Sequence, residues 1–163
     1  MLRIIGAVMI VSAGSMIGFL KSEALKKRTE SIEKIISGLN LLETDICYSE
    51  TDLSGALFSI GENHKIGMFK TIAKNLSKDG IKAAIGTALG EEEFLLERDK
   101  APLRALGDNL GMTDSLTQSQ AIKRAVLSLL EGKKNAQDEY KRLGRLYRSC
   151  GVLGGILGAI ILI

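Results

Sequence analysis

The stretch that most constrains the fold is residues 150–163, where no side chain is charged and only the cysteine thiol is polar. A helix that is apolar on every side must lie in a protein core or in lipid. In the preceding residues, apolar or small side chains recur at steps of three and four, except at Lys133. This heptad-like seam indicates a helix that packs one face against other helices. We therefore predict a single long helix over residues 115–163, with Ser115 as its N-cap and Gln118 completing a capping box.

The beginning of the chain holds a second charge-free run, residues 4–20, with Arg3 before it. Its length just reaches the lower limit of about 17 residues for a transmembrane helix. A cleaved signal peptide is the alternative, but the run continues past the small residues at 12–14, and the stronger positive charge follows it. The positive-inside rule then places the following region in the cytoplasm. The basic residues after the run are Lys21, Lys26, Lys27 and Arg28.

Basic residues also precede the C-terminal run, which favours the same topology. That run extends only about 21 Å as a helix, against a hydrocarbon core of about 30 Å, so a half-span beside a partner is left open. We predict an N-terminal transmembrane anchor at residues 1–21, a cytoplasmic helical bundle at residues 22–148 and a C-terminal transmembrane segment at residues 149–163. The basic residues are Lys141, Arg142, Arg145 and Arg148.

Glycines four residues apart recur in both apolar runs. Small residues at this spacing let membrane helices approach closely, although glycine is common in such helices anyway. The sequence leaves open whether the two runs pair with each other or with another subunit. The predicted helix-packing residues are Gly14, Gly18, Gly151, Gly154, Gly155 and Gly158.

The middle of the chain shows helical periodicity and no strand pattern, so we predict an all-α fold of about seven helices. The first helix carries a heptad seam from Leu25 to Ile46, interrupted at Arg28. Thr51 or Asp52 can cap the next helix. Residues 91–93 are predicted to open a helix towards residue 99, and Pro102 to lie in the first turn of another. The two long helices are expected to run antiparallel, as an exposed stalk or within a bundle.

Few residues are suited to catalysis or to binding a cofactor. His64 is the single histidine and lies in a turn-like stretch, and the two cysteines have neither metal nor redox spacing. We expect no cofactor, metal, small-molecule substrate or nucleic acid, and not an enzyme. An acidic cluster is the candidate docking patch for a partner, although acids solvated at a helix N-terminus are the simpler explanation. Its members are Glu91, Glu92, Glu93, Glu97 and Asp99.

Several short motifs, in order and spacing, resemble the stage III sporulation protein AB family over essentially the whole chain. The family often carries a tryptophan near Gly86, and this chain has no tryptophan. The motifs are Met1 to Val8; Leu42 to Ile46 followed by Leu53, Ala56 and Leu57; Asp99 with Leu106-Gly107 and Leu110-Gly111; Thr113-Asp114 with Gln118; and Tyr147 to Gly155.

The resemblance implies a membrane component of endospore-forming bacteria, in the mother-cell membrane facing the forespore. Family members look like the cytoplasmic domain of the inner-membrane platform proteins of type II secretion and type IV pilus machines. A secretion-type ATPase, the AA component of the stage III sporulation A complex, is the implied partner, and the complex would serve the mother cell–forespore channel. The alternative hypothesis is a membrane-anchored regulatory coiled coil that dimerises through its heptad seams.

Overall fold

The structure is a computed structural model that describes residues 2–48, 52–111 and 114–162. These residues form helices and connecting turns and contain no strand, so the predicted all-α fold class is confirmed. Thr51, the alternative cap, and the end of the last predicted helix at Ile163 lie outside the described residues. The helices are α1 (Leu2–Tyr48), α2 (Leu53–Asn63), α3 (Gly67–Glu91), α4 (Glu97–Leu106) and α5 (Ser115–Leu162).

The expected number of helices, about seven, is wrong, since the described residues form five. Two of the predicted helices are the halves of α3, which is kinked at Gly80 (φ 76°, ψ 166°). Glycine alone adopts this combination of angles at little cost. The other difference is at residues 92–96, which are not helical.

The acidic run at residues 91–93 ends a helix rather than opening one, because Glu91 is the last residue of α3. The next helix starts only at Glu97, where the Asp99 carboxylate accepts a hydrogen bond from the Leu96 N–H at 3.1 Å. That bond satisfies an N–H that a helix end leaves unpaired. Pro102 accordingly lies inside α4 and not in its first turn.

The cap predicted for the last helix is displaced by one residue. The Asp114 carboxylate accepts hydrogen bonds from the Thr117 N–H and hydroxyl at 3.1 and 2.8 Å, so Asp114 and not Ser115 caps α5. The side-chain oxygen of Gln118 accepts a hydrogen bond from the Gly111 N–H at 3.1 Å. At α2, Asp52 is the N-cap and accepts from the Gly55 N–H.

The chain divides into two compact units, and α1 and α5 contribute to both. The helix-pair unit comprises Met1–Thr29 and Lys134–Ile163, and the core unit comprises Glu30–Lys133. These boundaries reflect packing within the chain, whereas the predicted boundaries at residues 21 and 148 concern insertion into a membrane.

The core unit buries the heptad seams of both long helices. Ile32 and Leu42 of α1 and Ile122 and Leu129 of α5 are at most 1% exposed. Side chains from α1, α2, α3 and α4 converge around a small void, including Leu39, Leu57, Phe69 and Leu103. Each large apolar side chain buried in this way contributes roughly 1.5–3 kcal/mol. Within the core unit the seams are therefore interior surfaces of a bundle and not an exposed stalk.

Phe69 sets one tight contact in this core. It is 2% exposed, and its ring lies against Gly38 of α1. A Cβ at Gly38 would come within 2.7 Å of the Phe69 Cζ atom. Real Cβ atoms do not approach other atoms so closely, so the helix needs glycine here to admit the ring.

Candidate functional site

The helix-pair unit brings four of the six predicted packing glycines into one contact between α1 and α5. A Cβ on Gly14 would lie 2.8 Å from the Gly151 carbonyl oxygen and 3.2 Å from the Gly155 Cα. Gly18 lies against the backbone of Tyr147 and Gly151. The partner number on α5 falls as the number on α1 rises, so the two segments run antiparallel, and backbones this close exclude any larger side chain.

The remaining two glycines differ from these four. A Cβ on Gly158 would lie 3.0 Å from the Ile10 side chain, whereas a Cβ on Gly154 would meet no atom within 4 Å. Gly154 shares the four-residue spacing but faces away from the contact. Within the described residues, one helix, α1, contains from Val8 onwards a stretch long and apolar enough to cross a membrane, and only 11% of that stretch is buried.

Polar contacts continue the helix pair beyond the glycines. Ser22 is 1% exposed, and its hydroxyl oxygen accepts a hydrogen bond from the Arg148 Nε at 3.0 Å. Further along, Arg28, with 4% of its side chain exposed, forms a salt bridge to Glu139. A buried arginine requires such compensation because its charge is costly to remove from water. Arg28, predicted as the polar gap in the α1 seam, is thus held by a carboxylate of α5.

The predicted acidic cluster is divided by the structure into exposed and buried members. Glu93 is exposed, and so is Glu91, whose carboxylate accepts from the Thr71 hydroxyl at 2.9 Å. Glu97 pairs with Arg104 at 2.7 Å, and that hydrogen bond lowers the pKa of the Glu97 carboxyl. These three carboxylates are available at the surface.

Two further acids of the cluster are shielded from solvent. Asp99 is 2% exposed and caps α4, so it serves the fold. Partial burial raises the pKa of Glu92, while Lys100 and Lys34 act in the opposite direction. Asp99 therefore cannot contact a partner in this conformation. Fewer acidic side chains of the cluster are exposed than the sequence indicates.

Charge is distributed unevenly between the two units. The helix-pair unit has ten basic and three acidic residues (net +7), whereas the core unit has 12 basic and 16 acidic residues (net −4). In the sequence, the basic residues at 141–148 were interpreted only as an indication of topology. Their spacing of four and three residues puts Lys141, Arg145 and Arg148 on one helix face, and this spacing is the signal that could have identified them as a group.

The described residues contain no group of three or more His, Cys, Asp or Glu side chains able to hold a metal ion. His64 is exposed at the end of α2, and Cys47 and Cys150 are exposed thiols.

Between α4 and α5, a cleft of about 220 Å³ is lined mainly by small and apolar residues such as Pro102 and Ala121.

These features define a class: an all-helical protein whose first helix is a candidate membrane span, with a packed helical core unit. The family model described as stage III sporulation protein AB matches residues 3–163. The chain therefore belongs to the stage III sporulation protein AB family, which confirms the resemblance found in the sequence. Its role is accordingly in sporulation, and family membership implies that it belongs to the stage III sporulation A complex.

One relative and one solved structure illustrate the match. The chain is 28% identical to stage III sporulation protein AB of Bacillus subtilis (strain 168), over 99% of each chain. A solved structure of a stage III sporulation protein AB superposes with a TM-score of 0.62 at 24% identity. That superposition covers 70% of this chain and 96% of the other, and it supports the helical fold.

Proposed function

We propose that this protein is a non-enzymatic membrane platform of the mother cell–forespore channel apparatus, and that its helical core docks a secretion-type ATPase. The observation that carries the proposal is the burial, within a single chain, of the parts of both heptad seams that lie in the core unit. Ile35 and Leu39 of α1 and Leu129 of α5 are 1–2% exposed without any partner chain. A core closed in this way leaves its polar outer surface free to bind a partner.

The competing regulatory coiled coil needs the same seams for dimerisation. To dimerise through them, the chain would have to open its own core and expose large apolar side chains at a cost of roughly 1.5–3 kcal/mol each. The mass of the full chain in nanodiscs, measured by light scattering, distinguishes the two functions. One copy per disc supports the platform, whereas a dimer that does not bind the ATPase supports the coiled coil.

The docking surface we propose is the exposed acidic segment formed by Glu91, Glu93 and Glu97. It lies in the core unit, whose net charge is −4, and two of its carboxylates, at Glu91 and Glu93, have no basic partner among the described ion pairs. Charged groups at a protein interface steer association and select partners. A basic surface on the ATPase is therefore the complementary partner.

The test measures binding of the purified ATPase to the full chain in nanodiscs. Glu93→Lys should weaken binding on the order of tenfold, because it sets like charges against each other. Asp79→Lys is the matched control, since Asp79 is also an exposed acid of the core unit and lies at the kink of α3. Equal affinity of the two variants would exclude the acidic segment as the docking surface, and no binding by the unaltered chain would exclude the ATPase as a partner.

We further propose that both apolar ends insert in the mother-cell membrane facing the forespore and that the core unit is cytoplasmic. The two natural cysteines allow a direct test because both thiols are exposed in the structure. A membrane-impermeant maleimide should label Cys47 in permeabilised but not in intact protoplasts. Cys150, which begins the C-terminal apolar run, should react poorly in both. Labelling of Cys47 in intact protoplasts would contradict this topology.

A further inference from the structure

A basic cleft on α5 lies where the charged part of the helix meets its apolar end. The cleft has a volume of about 340 Å³ and is lined by Tyr140, Lys141, Arg145, Arg148 and Ser149. All of these residues belong to the helix-pair unit. We refer to this set of five residues as the basic cleft.

The cations of the basic cleft are available to an anion. Lys141 and Arg145 are exposed, and neither forms an ion pair within the described ranges. Arg148 is held in place by hydrogen bonds from its Nε to the Ser22 hydroxyl and from its Nη2 to the Tyr140 hydroxyl, at 3.0 and 3.2 Å. Since a guanidinium has five N–H donors, Arg148 keeps three for a ligand.

The acids near the cleft do not neutralise it. Glu139 is engaged by Arg28 of α1, and Asp138 is exposed one turn before Lys141. Glu23 of α1 is the remaining acid of the helix-pair unit. With three acids against ten basic residues, this unit keeps a strong positive potential.

An exposed apolar face continues from the same side of the helix. Val152 and Ile156 follow Arg148 by four and eight residues, and each is 42% exposed. At 1.5 Å per residue, Ile156 lies about 12 Å along the axis from Arg148. A ligand that contacts both parts must be anionic at one end and apolar along the other.

We propose that the basic cleft binds the headgroup of an anionic phospholipid and that the acyl chains of this lipid lie along Val152 and Ile156. Arginine binds phosphate oxygens through paired N–H groups, and basic residues beside a membrane helix attract anionic lipids. Free phosphate shares the headgroup chemistry, but it leaves the apolar face unused. The proposal rests on the membrane insertion of the C-terminal segment.

Native mass spectrometry of the full chain in detergent micelles tests the proposal. Phosphatidylglycerol and phosphatidylcholine are added in equal amounts, and the protein should retain phosphatidylglycerol preferentially. The double variant K141Q/R145Q should lose this retention on the order of tenfold. The matched control K21Q/R142Q removes the same charge from exposed residues of the same unit that do not line the cleft, and it should retain the lipid. K141R/R145K should also retain it.

Each contrary outcome has a defined meaning. Equal retention of the two lipids, or an equal loss in both double variants, overturns the site in favour of diffuse charge attraction. Displacement of the lipid by millimolar inorganic phosphate overturns it in favour of a phosphate site. Unchanged helical circular dichroism of K141Q/R145Q excludes misfolding as the cause of a loss. Flotation of the full chain with vesicles tests insertion separately, so a failure of insertion is distinguished from a failure of lipid selectivity.

Discussion

Replacing Gly38 by alanine should lower the thermal stability of the protein, whereas the same replacement at Gly86 should raise it. Both glycines lie within helices, and alanine favours a helix over glycine by about 1 kcal/mol. Only Gly38 faces a packed neighbour, because a Cβ there would come within 2.7 Å of the Phe69 Cζ. A Cβ on Gly86 would meet no atom within 4 Å.

The two effects have opposite signs, and their magnitudes decide the outcome. Forcing an extra carbon into a packed core costs about 1–3 kcal/mol. The Phe69 ring, 2% exposed, has little room to move, so the upper part of that range applies. After the gain in helix propensity, Gly38→Ala should destabilise the fold by about 1–2 kcal/mol. Gly86→Ala should stabilise it by about 1 kcal/mol.

The assay is thermal unfolding of the full chain in detergent, followed by circular dichroism at the helical band. For a chain of this size, 1 kcal/mol corresponds to roughly 2–4 °C in Tm. Gly38→Ala should therefore lower Tm by roughly 2–8 °C, and Gly86→Ala should raise it by roughly 2–4 °C. Adding Phe69→Leu should make the cost of Gly38→Ala smaller, because the two sites are coupled. An increase in Tm for Gly38→Ala similar to that of Gly86→Ala would refute the packing argument.

Three further predictions follow from other contacts. Asp99→Ala should destabilise the fold by about 1 kcal/mol, because it removes the cap of α4, and this loss should be measured as a lower Tm. An unchanged Tm would show that the fold does not need the cap. Hydrogen bonds from Thr117 lower the pKa of Asp114, so this contact stabilises the fold above the unfolded-state pKa, and the stabilisation is lost as the pH falls through the folded-state pKa. In an NMR titration, Thr117→Val should raise the midpoint of Asp114. An unchanged midpoint would contradict this cause. Gly151→Leu should lower Tm because it separates α1 from α5, whereas Gly154→Leu should not, and equal shifts would be inconsistent with the contact.

The family resemblance and the helical fold could be predicted from the sequence because both depend on local patterns. The spacing of apolar residues identified the seams that contain Ile35 and Leu129, and the structure buries both. The same local rules failed at residues 91–99. Acidic residues favour a helix N-terminus, but here the buried Asp99 carboxylate binds the Leu96 N–H and delays the start of α4 to Glu97.

The candidate sites depended more on the tertiary structure. The sequence grouped Asp99 with its acidic neighbours, and only packing shows that Asp99 is buried while Glu93 is exposed. The basic residues on α5 were visible as charges. Their association with Ser22, far away in the sequence, could not be inferred because a hydrogen bond between distant residues leaves no periodic signal.

The helical class and the two apolar ends can therefore be predicted from the amino-acid sequence, because composition and periodicity are properties of each segment alone, and the order of the short motifs carries the family resemblance. Which faces of those segments meet depends on the tertiary fold. Gly151 and Gly154 have equivalent spacing in the sequence, yet Gly151 contacts α1 and Gly154 does not. The reason is that the rotation and register of one helix against another are fixed by the summed packing of both surfaces.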